Sequence, residues 1–301
     1  MLPLLFSWGP VKIYSFGVMA VVAFLAGTFL AWRQGREAHF DEEKVFDTVL
    51  VVTFWGLVGA RLWYGLWHIN DWGLNWGAWL SLSGRPGLSL FGGMLGGVGA
   101  LWWVARRWKW DFFEIADVMM PGLVLALALG LVGAFLNGTG YGVQTNWPGA
   151  VSFPGVEGKR HPLQVYGAVV MGAWWWMMMK FDREYRTYDW YRGERATALP
   201  GFVFLSGMMG ISLWLLGMSF WRPADWWWIL SLEGWQWLGV LMVSGVVWYS
   251  RSGRGMRQDI GQIGSGVVRL VGRLTLRRRG GLKRSGGIKR GSDVVGRRTG
   301  L

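Results

Sequence analysis

The sequence contains no cysteine, which excludes disulfide bonds, thiolate metal sites and a cysteine nucleophile. Its first residues also lack the basic segment and small-residue cleavage site of a secretory signal peptide, so we expect the N-terminal helix to be retained. The 301 residues are instead 52% hydrophobic, with 25 Trp and 48 Gly, and long apolar runs are broken only by short charged loops. This composition is typical of an integral membrane protein.

Seven apolar runs are long enough to cross a membrane as helices. A spanning helix needs about 20 mostly apolar residues to cross a hydrocarbon core of roughly 30 Å, because backbone groups cannot be left unpaired in lipid. The sequence therefore predicts an all-α integral membrane protein with about seven transmembrane helices. The runs lie at about 14–32, 45–67, 88–105, 114–136, 164–180, 200–220 and 235–250.

Lys and Arg are distributed unevenly between the loops on the two sides of these runs. Short loops that are rich in Lys and Arg are retained on the cytoplasmic side of a membrane. The asymmetry predicts an outside N-terminus and a cytoplasmic C-terminus. The basic residues on the predicted cytoplasmic side are Arg33, Arg36, Lys44, Arg106, Arg107, Lys109, Lys180, Arg183, Arg186, Arg192 and Arg195, whereas the opposite loops hold Arg85, Lys159, Arg160 and Arg222.

The composition changes near residue 250, which divides the chain into a helical domain at 1–250 and a tail at 251–301. The tail has 14 Lys or Arg and two Asp, so it carries a net charge of +12. Such a tail is attracted to anionic lipid headgroups, and RNA is another partner of basic tails. We expect a disordered, solvated cytoplasmic tail that fixes the topology rather than a binding segment, since no aromatic residue or motif interleaves the charges. Anionic lipid stays open as a partner of the tail, and nucleic acid is not expected.

Polar groups are concentrated in the segment RHPLQVY at 160–166. His161 is able to accept a proton or, when charged, to bind phosphate. Arg160 and Arg222 are candidate phosphate ligands, because a guanidinium group matches phosphate geometry. An open alternative is that Arg-His-Pro only caps and orients the fifth helix while Arg222 lies at the headgroup layer.

Two further charged residues fall within the apolar runs. Placing the charged side chain of Arg61 in contact with lipid is energetically unfavourable, so we expect it to face the bundle interior and to pair with Asp47 or Asp117, in a functional or a structural role. Asp117, together with Pro121, opens the fourth run, where we expect the carboxylate to cap the first turn of that helix.

In their order along the chain, these segments resemble the bacterial prolipoprotein diacylglyceryl transferase family. RHPLQVYGA is similar to the family's Arg-His-Pro-Ser-Gln-Leu-Tyr-Glu-Ala, and GLVGAFLNGTGYG at 130–142 resembles a stretch that normally reads Gly-Arg-Ile-Gly-Asn-Phe-Ile-Asn-Gly-Glu. The resemblance covers most of residues 1–250. The other matching segments are FSWGPVKIYSFGVM, GARLWYGLW, GLSLFGGMLGG, SFWRPAD and EGWQWLG.

The resemblance implies a multi-pass enzyme of the bacterial cytoplasmic (inner) membrane. Its reaction transfers diacylglycerol from phosphatidylglycerol to the lipobox cysteine of a preprolipoprotein, whose signal peptide is then a partner, and we expect no cofactor and no metal. His161 takes the catalytic position. The substrate-binding positions are Arg160, Gln164, Tyr166, Asn137, Gly138, Tyr141, Gly142 and Arg222.

Several positions depart from the family pattern, and they are those at which the family has polar side chains. Phe91 occupies the His position of a His-Gly-Gly segment and Leu131 an Arg position. Phe and Leu neither remove a proton nor stabilise a departing phosphate, so these replacements put catalysis in question. Three hypotheses stay open. They are a divergent transferase, a relative that binds phospholipid or signal peptide without turnover, and, ranked lowest, a transporter or channel. The other altered positions are Ala134, Thr139, Gly167, Leu215 and Ser219.

Overall fold

A computed structural model of the chain describes residues 4–8, 11–73, 79, 87–184, 198–222 and 232–252. The predicted basic tail lies outside these residues from 253 onwards, as do Arg85 and the 185–197 segment. The described N-terminal part is an antiparallel hairpin of β1, Leu4–Trp8, and β2, Val11–Tyr14.

Every one of the seven predicted apolar runs corresponds to a helix. Within the described parts of the chain, four helices, α1, α2, α5 and α7, are long and apolar enough to cross a membrane. The helical, membrane-type fold is therefore confirmed, whereas the seven-span count and the orientation stay predictions. The helices are α1 Ser15–Glu37, α2 Glu42–Trp67, the single turn α3 Ile69–Trp72, α4 Leu90–Trp108, α5 Phe112–Asn137, α6 Leu163–Asp182, α7 Phe202–Ser219 and α8 Leu232–Arg251.

The helices alternate in direction, so their ends form two distinct faces of the bundle. One face holds the loops at 38–41, 109–111 and 198–201, and α8 also ends there, since Leu199 N–H donates to the Arg251 carbonyl. We call this face the tail end. The other face holds residues 87–89, 138–162 and 220–222, and we call it the site end.

Glycines let two pairs of helices approach to backbone contact. A Cβ on Gly122 of α5 would lie 2.5 Å from the carbonyl oxygen of Gly27 on α1. A Cβ on Gly59 of α2 would lie 2.5 Å from the Gly92 carbonyl oxygen and 2.9 Å from Gly96 Cα on α4. Small residues at such crossings are how membrane helices pack closely. The bundle is thus built on the pairs α1 with α5 and α2 with α4.

Helix α5 lies at the centre of the bundle and packs against α1, α6 and α7. Its residues Ile115 and Val124 are fully buried, as are Met171 of α6 and Phe202 of α7. Central position makes α5 the element that connects the two ends of the molecule.

The predicted role of Asp117 is wrong in its details. Helix α5 begins at Phe112 and is capped by Asp111, whose carboxylate accepts hydrogen bonds from two backbone amides of the first turn. Asp117 is buried one turn further on and caps a different helix: its two oxygens each accept a 2.7 Å hydrogen bond, from Gly201 N–H and Phe204 N–H at the start of α7. The partner lies more than 80 residues away, so local sequence does not reveal it.

Arg61 faces the interior as predicted and is 7% exposed. The predicted ion pair is wrong, however. Asp47 lies about 21 Å away along the same helix axis, and Asp117 lies near the tail end. The guanidinium group instead donates to the carbonyl oxygens of Trp79 and Gly87, at 2.8 and 2.9 Å, and so holds the connection between α2 and α4 against α2.

Replacing Asp117 with alanine should destabilise the bundle. Two buried amides at the start of α7 would lose a charged acceptor, and each such hydrogen bond contributes about 1.5–3 kcal/mol. We therefore expect the free energy of unfolding to fall by at least about 2 kcal/mol, as measured by equilibrium unfolding in mixed micelles. The exposed Glu114→Gln on the same helix is the control and should be neutral; equal stability of both variants would contradict the assigned cap.

Candidate functional site

The segment between α5 and α6 folds back on itself over the site end. Gly138 ends α5 in the left-handed conformation, with φ of 79°. Strands β3, Val151–Ser152, and β4, Lys159–Arg160, then pair antiparallel, and Gln144 pairs with Arg160 in an isolated bridge. This folding returns the chain so that RHPLQVY lies beside the residues that follow Gly138.

Backbone hydrogen bonds fix His161 on both sides. Its carbonyl oxygen accepts from Gly142 N–H at 2.8 Å, and its own N–H donates to the Val143 carbonyl at 3.2 Å. Val143 N–H in turn donates to the Trp221 carbonyl at 2.8 Å, which places Arg222 next to the same segment. Three stretches that are distant in sequence, around 141, 161 and 221, are therefore adjacent in the structure.

An aromatic cluster surrounds the His161 side chain. His161 Nδ1 lies 3.3 Å from the Tyr166 hydroxyl group. The Trp147 ring stacks on the imidazole with centroids 6.3 Å apart and an angle of 29°. We call Trp147, His161 and Tyr166 the His161 cluster. Trp147 is 54% exposed, so the cluster is open to the surface of the site end.

Arg160 and Gln164 each carry a buried polar atom without a partner among the described residues. The Arg160 guanidinium lies over the Tyr141 ring at 5.2 Å, but its Nε is buried and unpaired. Gln164 is 3% exposed; its Nε2 donates to the Thr139 carbonyl at 2.6 Å, while its Oε1 is unpaired. Buried polar groups in proteins nearly always have a partner. A free donor on β4 and a free acceptor in the first turn of α6 thus favour a polar ligand.

The altered family positions are packed together rather than left empty. A Cβ on Gly167, where the family pattern has Glu, would lie 2.6 Å from Trp214 Nε1 and 3.0 Å from Leu131 Cδ1. Leu131 itself is predicted to occupy an Arg position of the family. The space that longer polar side chains would need is thus filled by Trp214, whose buried Nε1 lacks a partner among the described residues.

Phe91 is also part of a packed aromatic group. Its ring lies 5.2 Å from the Trp63 ring and 5.8 Å from the Trp237 ring, centroid to centroid. Trp237 is 1% exposed, so Phe91 closes against the bundle interior.

An apolar cavity of about 490 Å³ lies between the two glycine-packed helix pairs. It extends along α1, α2, α4 and α5, side chains of α7 and α8 also line it, and it is partly open to the outside of the bundle. The hydroxyl of Thr28, one of its few polar groups, donates to the Phe24 carbonyl of its own helix at 2.7 Å. Such a cavity suits a hydrocarbon chain. Its lining includes Val52, Met94, Leu101, Met119, Phe204 and Trp237.

The structure places most of the predicted site residues together. The backbone contacts join Tyr141 and Gly142 to the segment that carries Arg160, His161, Gln164 and Tyr166, and Asn137 and Gly138 lie where α5 ends. Pro162 occupies the N-cap position of α6, as the capping alternative requires, but no side chain makes a capping hydrogen bond there. Sequence reasoning missed Trp147 and Trp214, because neither lies in a segment that resembles the family. The Trp-Pro-Gly sequence at 147–149, which lies in a loop, is the signal that distinguishes Trp147.

The fold and the site together define a multi-helix membrane protein with a polar cluster at one end and an apolar cavity among its helices. A sequence profile of the prolipoprotein diacylglyceryl transferase family matches residues 3–250. The chain therefore belongs to the prolipoprotein diacylglyceryl transferase family.

Curated relatives show the same likeness. The chain is similar to the phosphatidylglycerol–prolipoprotein diacylglyceryl transferase of Pseudoalteromonas atlantica, with 31% identity over 57% of this chain and 61% of the relative. It is also similar to the enzyme of the same name from Proteus mirabilis, with 35% identity over 51% of this chain and 53% of the relative. The Geobacter sulfurreducens enzyme is 33% identical over 56% of this chain and 66% of its own length. The chain thus spans less than two thirds of the length of these relatives.

Gly142 lies so close to Trp221 and His161 that its replacement by a larger residue should destabilise the protein. A Cβ there would lie 2.8 Å from the Trp221 carbonyl oxygen and 2.9 Å from His161 Cβ. Gly142→Ala should force these segments apart and cost about 1–3 kcal/mol of stability, measured by unfolding in micelles. Gly172→Ala is the control, because nothing lies within 4 Å of a Cβ at that position. Equal stability of the two variants would show that the segments do not meet closely at Gly142.

Proposed function

We propose that this protein transfers a diacylglyceryl group from phosphatidylglycerol to the lipobox cysteine of a preprolipoprotein. The observation that carries the proposal is the pair of unpartnered buried atoms, Arg160 Nε and Gln164 Oε1, beside the His161 cluster. A phosphoglycerol headgroup offers the complementary groups: phosphate oxygens that accept and hydroxyl groups that donate. The family membership of the chain supports the same substrate.

The reaction assigns distinct tasks to the residues of the site. The cysteine sulfur attacks a glyceryl carbon, a C–S bond forms, the C–O bond to phosphate breaks, and glycerol phosphate leaves with the electron pair. His161 accepts the thiol proton, and its position is held by the backbone contacts to 142 and 143. Arg160 and Arg222 stabilise the phosphate of the leaving group, because guanidinium N–H groups match its oxygens.

The apolar cavity gives an acyl chain of the lipid a place inside the bundle. Helix α5 contributes residues between Ala116 and Leu127 to the cavity and ends at Asn137, beside the polar site. A phospholipid can therefore lie with its headgroup at the site end and one chain among the helices. In this proposal the site end faces outward in the bacterial inner membrane and the tail end faces the cytoplasm, as the basic loops predict.

A second function, binding without turnover, is favoured by the packing around Gly167. Leu131 and Trp214 fill the space beside it, and Phe91 is packed between two tryptophans. Polar positions of the family thus became part of an apolar interior, while β4, which carries Arg160, and the start of α6, which carries Gln164, stayed folded. Such a protein would hold phosphatidylglycerol or a lipoprotein signal peptide and release it unchanged.

His161→Ala should abolish transfer while leaving the helices folded. Loss of a positioned general base lowers turnover by about 10²–10⁴-fold. The assay incubates the protein in phosphatidylglycerol vesicles with a lipobox peptide and detects the diacylglyceryl thioether by mass spectrometry.

His68→Ala is the matched control, because this histidine also lies at the site end but stacks on Tyr64 outside the His161 cluster. It should leave turnover unchanged. Unaltered turnover in His161→Ala would refute the catalytic assignment. Absence of product from the unaltered protein, with phosphatidylglycerol still bound, would establish the binding function instead.

Gly97→Leu should weaken phospholipid binding by filling the cavity. Position 97 lines the cavity, and the nearest atom to a Cβ there is Val52 Cγ1 at 3.6 Å, so the first added carbon fits and the rest of the leucine extends into the open volume. Gly99→Leu is the control on the same helix, since nothing lies within 4 Å of its Cβ and the position is exposed. Binding is measured by titration with phosphatidylglycerol in micelles; equal affinities would exclude the cavity as an acyl-chain site.

A further inference from the structure

A repeated arrangement occurs at the tail end, where a basic side chain lies over the tryptophan ring four residues earlier on the same helix. It is found on α1, α4 and α6, each of which ends at this face. We call the eight residues the tryptophan–cation collar. The distances from cation to ring centroid are 4.7 Å for Arg36 over Trp32, 4.0 Å for Arg106 over Trp102, 5.8 Å for Arg107 over Trp103 and 5.7 Å for Lys180 over Trp176.

The collar faces outward from the bundle. All four of its basic residues are exposed, and Trp102, Trp103 and Trp176 are 47%, 52% and 62% exposed. Among the described residues, every pair of a tryptophan and a cation lies at this end. At the site end the stacked cation is Arg160, over a tyrosine instead. The collar is thus an asymmetric feature of the surface.

The stacking fixes both the depth and the direction of the charge. Tryptophan prefers the headgroup layer, where its ring contacts lipid and its N–H contacts water. A guanidinium group that lies over such a ring is held at the same depth by attraction to its π face. Its in-plane N–H groups stay free, and these are the groups that bind phosphate oxygens in pairs.

Neighbouring acidic groups make the four pairs unequal. On α1, Trp32 Nε1 donates to Glu42 at 2.7 Å, which places a carboxylate beside the Arg36 pair. On α4, two stacked arginines are adjacent and Lys109 follows them. In the loop that follows α4, the carboxylate of Asp111 already accepts hydrogen bonds from backbone amides of α5. The end of α4 is therefore the most favourable place for an anion.

We propose that Trp102, Trp103, Arg106 and Arg107 form a binding site for the phosphate of an anionic phospholipid, taken from the membrane leaflet at the tail end. The site lies at the opposite end of the bundle from the His161 cluster and goes beyond the proposed transfer. It is built into the helix and does not depend on the basic tail. A lipid held there keeps α4, and with it the packed α2 and α4 pair, at a fixed depth in the membrane.

Native mass spectrometry of the full chain, titrated with phosphatidylserine in detergent, tests this site. Phosphatidylserine is chosen because it lacks the glycerol headgroup of the proposed substrate, so loss of transfer activity and loss of this site are measured separately. The double substitution Arg106→Gln with Arg107→Gln should raise the dissociation constant of the tightest bound lipid about 25-fold, since each basic residue near a membrane surface contributes about fivefold. Trp102→Leu with Trp103→Leu should also raise it, although both charges remain.

The control removes the same charge from the same end outside the collar, by Arg33→Gln with Arg183→Gln. Arg33 is paired with Glu37 at 2.9 Å, and both control arginines are exposed. The control should leave the dissociation constant unchanged. The proposal is wrong if the control weakens binding as much as the Arg106 and Arg107 variant, which would indicate net charge alone, or if neither collar variant changes it. Thermal unfolding confirms that these surface variants remain folded.

Discussion

Close contact between glycine-bearing helices is the constraint on which the rest of the structure depends. Lipid offers no hydrophobic driving force between helices, so backbone approach and van der Waals packing must hold the bundle together. Gly27 with Gly122, and Gly59 with Gly92 and Gly96, bring two helix pairs to backbone contact. Between these pairs remains the 490 Å³ apolar cavity, whose walls include Gly27 and Gly122 themselves. The same small residues thus provide cohesion and the space for a hydrocarbon chain.

The helices could be predicted because each apolar run is long and contains few charged residues, and all seven runs coincide with helices. Local sequence also predicted that Arg61 faces the interior, which the structure confirms. That the 160–166 segment carries the site stays a prediction. Partners distant in the chain were not accessible in this way. Asp117 caps a helix that begins beyond residue 200, and Arg61 donates to carbonyl oxygens of a connecting segment. In both cases the partner is a backbone group, and the residue type does not show which backbone group will be bound.

The site combines features that favour chemistry with features that favour binding alone. His161 is fixed by backbone contacts, and unpaired atoms of Arg160 and Gln164 are available to a polar ligand. Around Gly167, however, Trp214 and Leu131 occupy the space of the family's polar side chains. Trp214 escaped the sequence analysis because its importance arises only from its contact across two helices. Both proposed functions share one requirement, which is a phospholipid held with its headgroup at the site end and a chain within the bundle.

Photo-crosslinking with a phosphatidylglycerol that carries a diazirine in one acyl chain measures this shared requirement directly. Peptide mapping of the labelled protein should place the cross-links on residues of the cavity, such as Val52, Met94, Leu101 and Met119. Labels spread instead over outward-facing side chains of the helices, such as Val169, Met242 and Val246, would show that the lipid contacts only the outside of the bundle. That result would contradict a phospholipid chain held within the bundle.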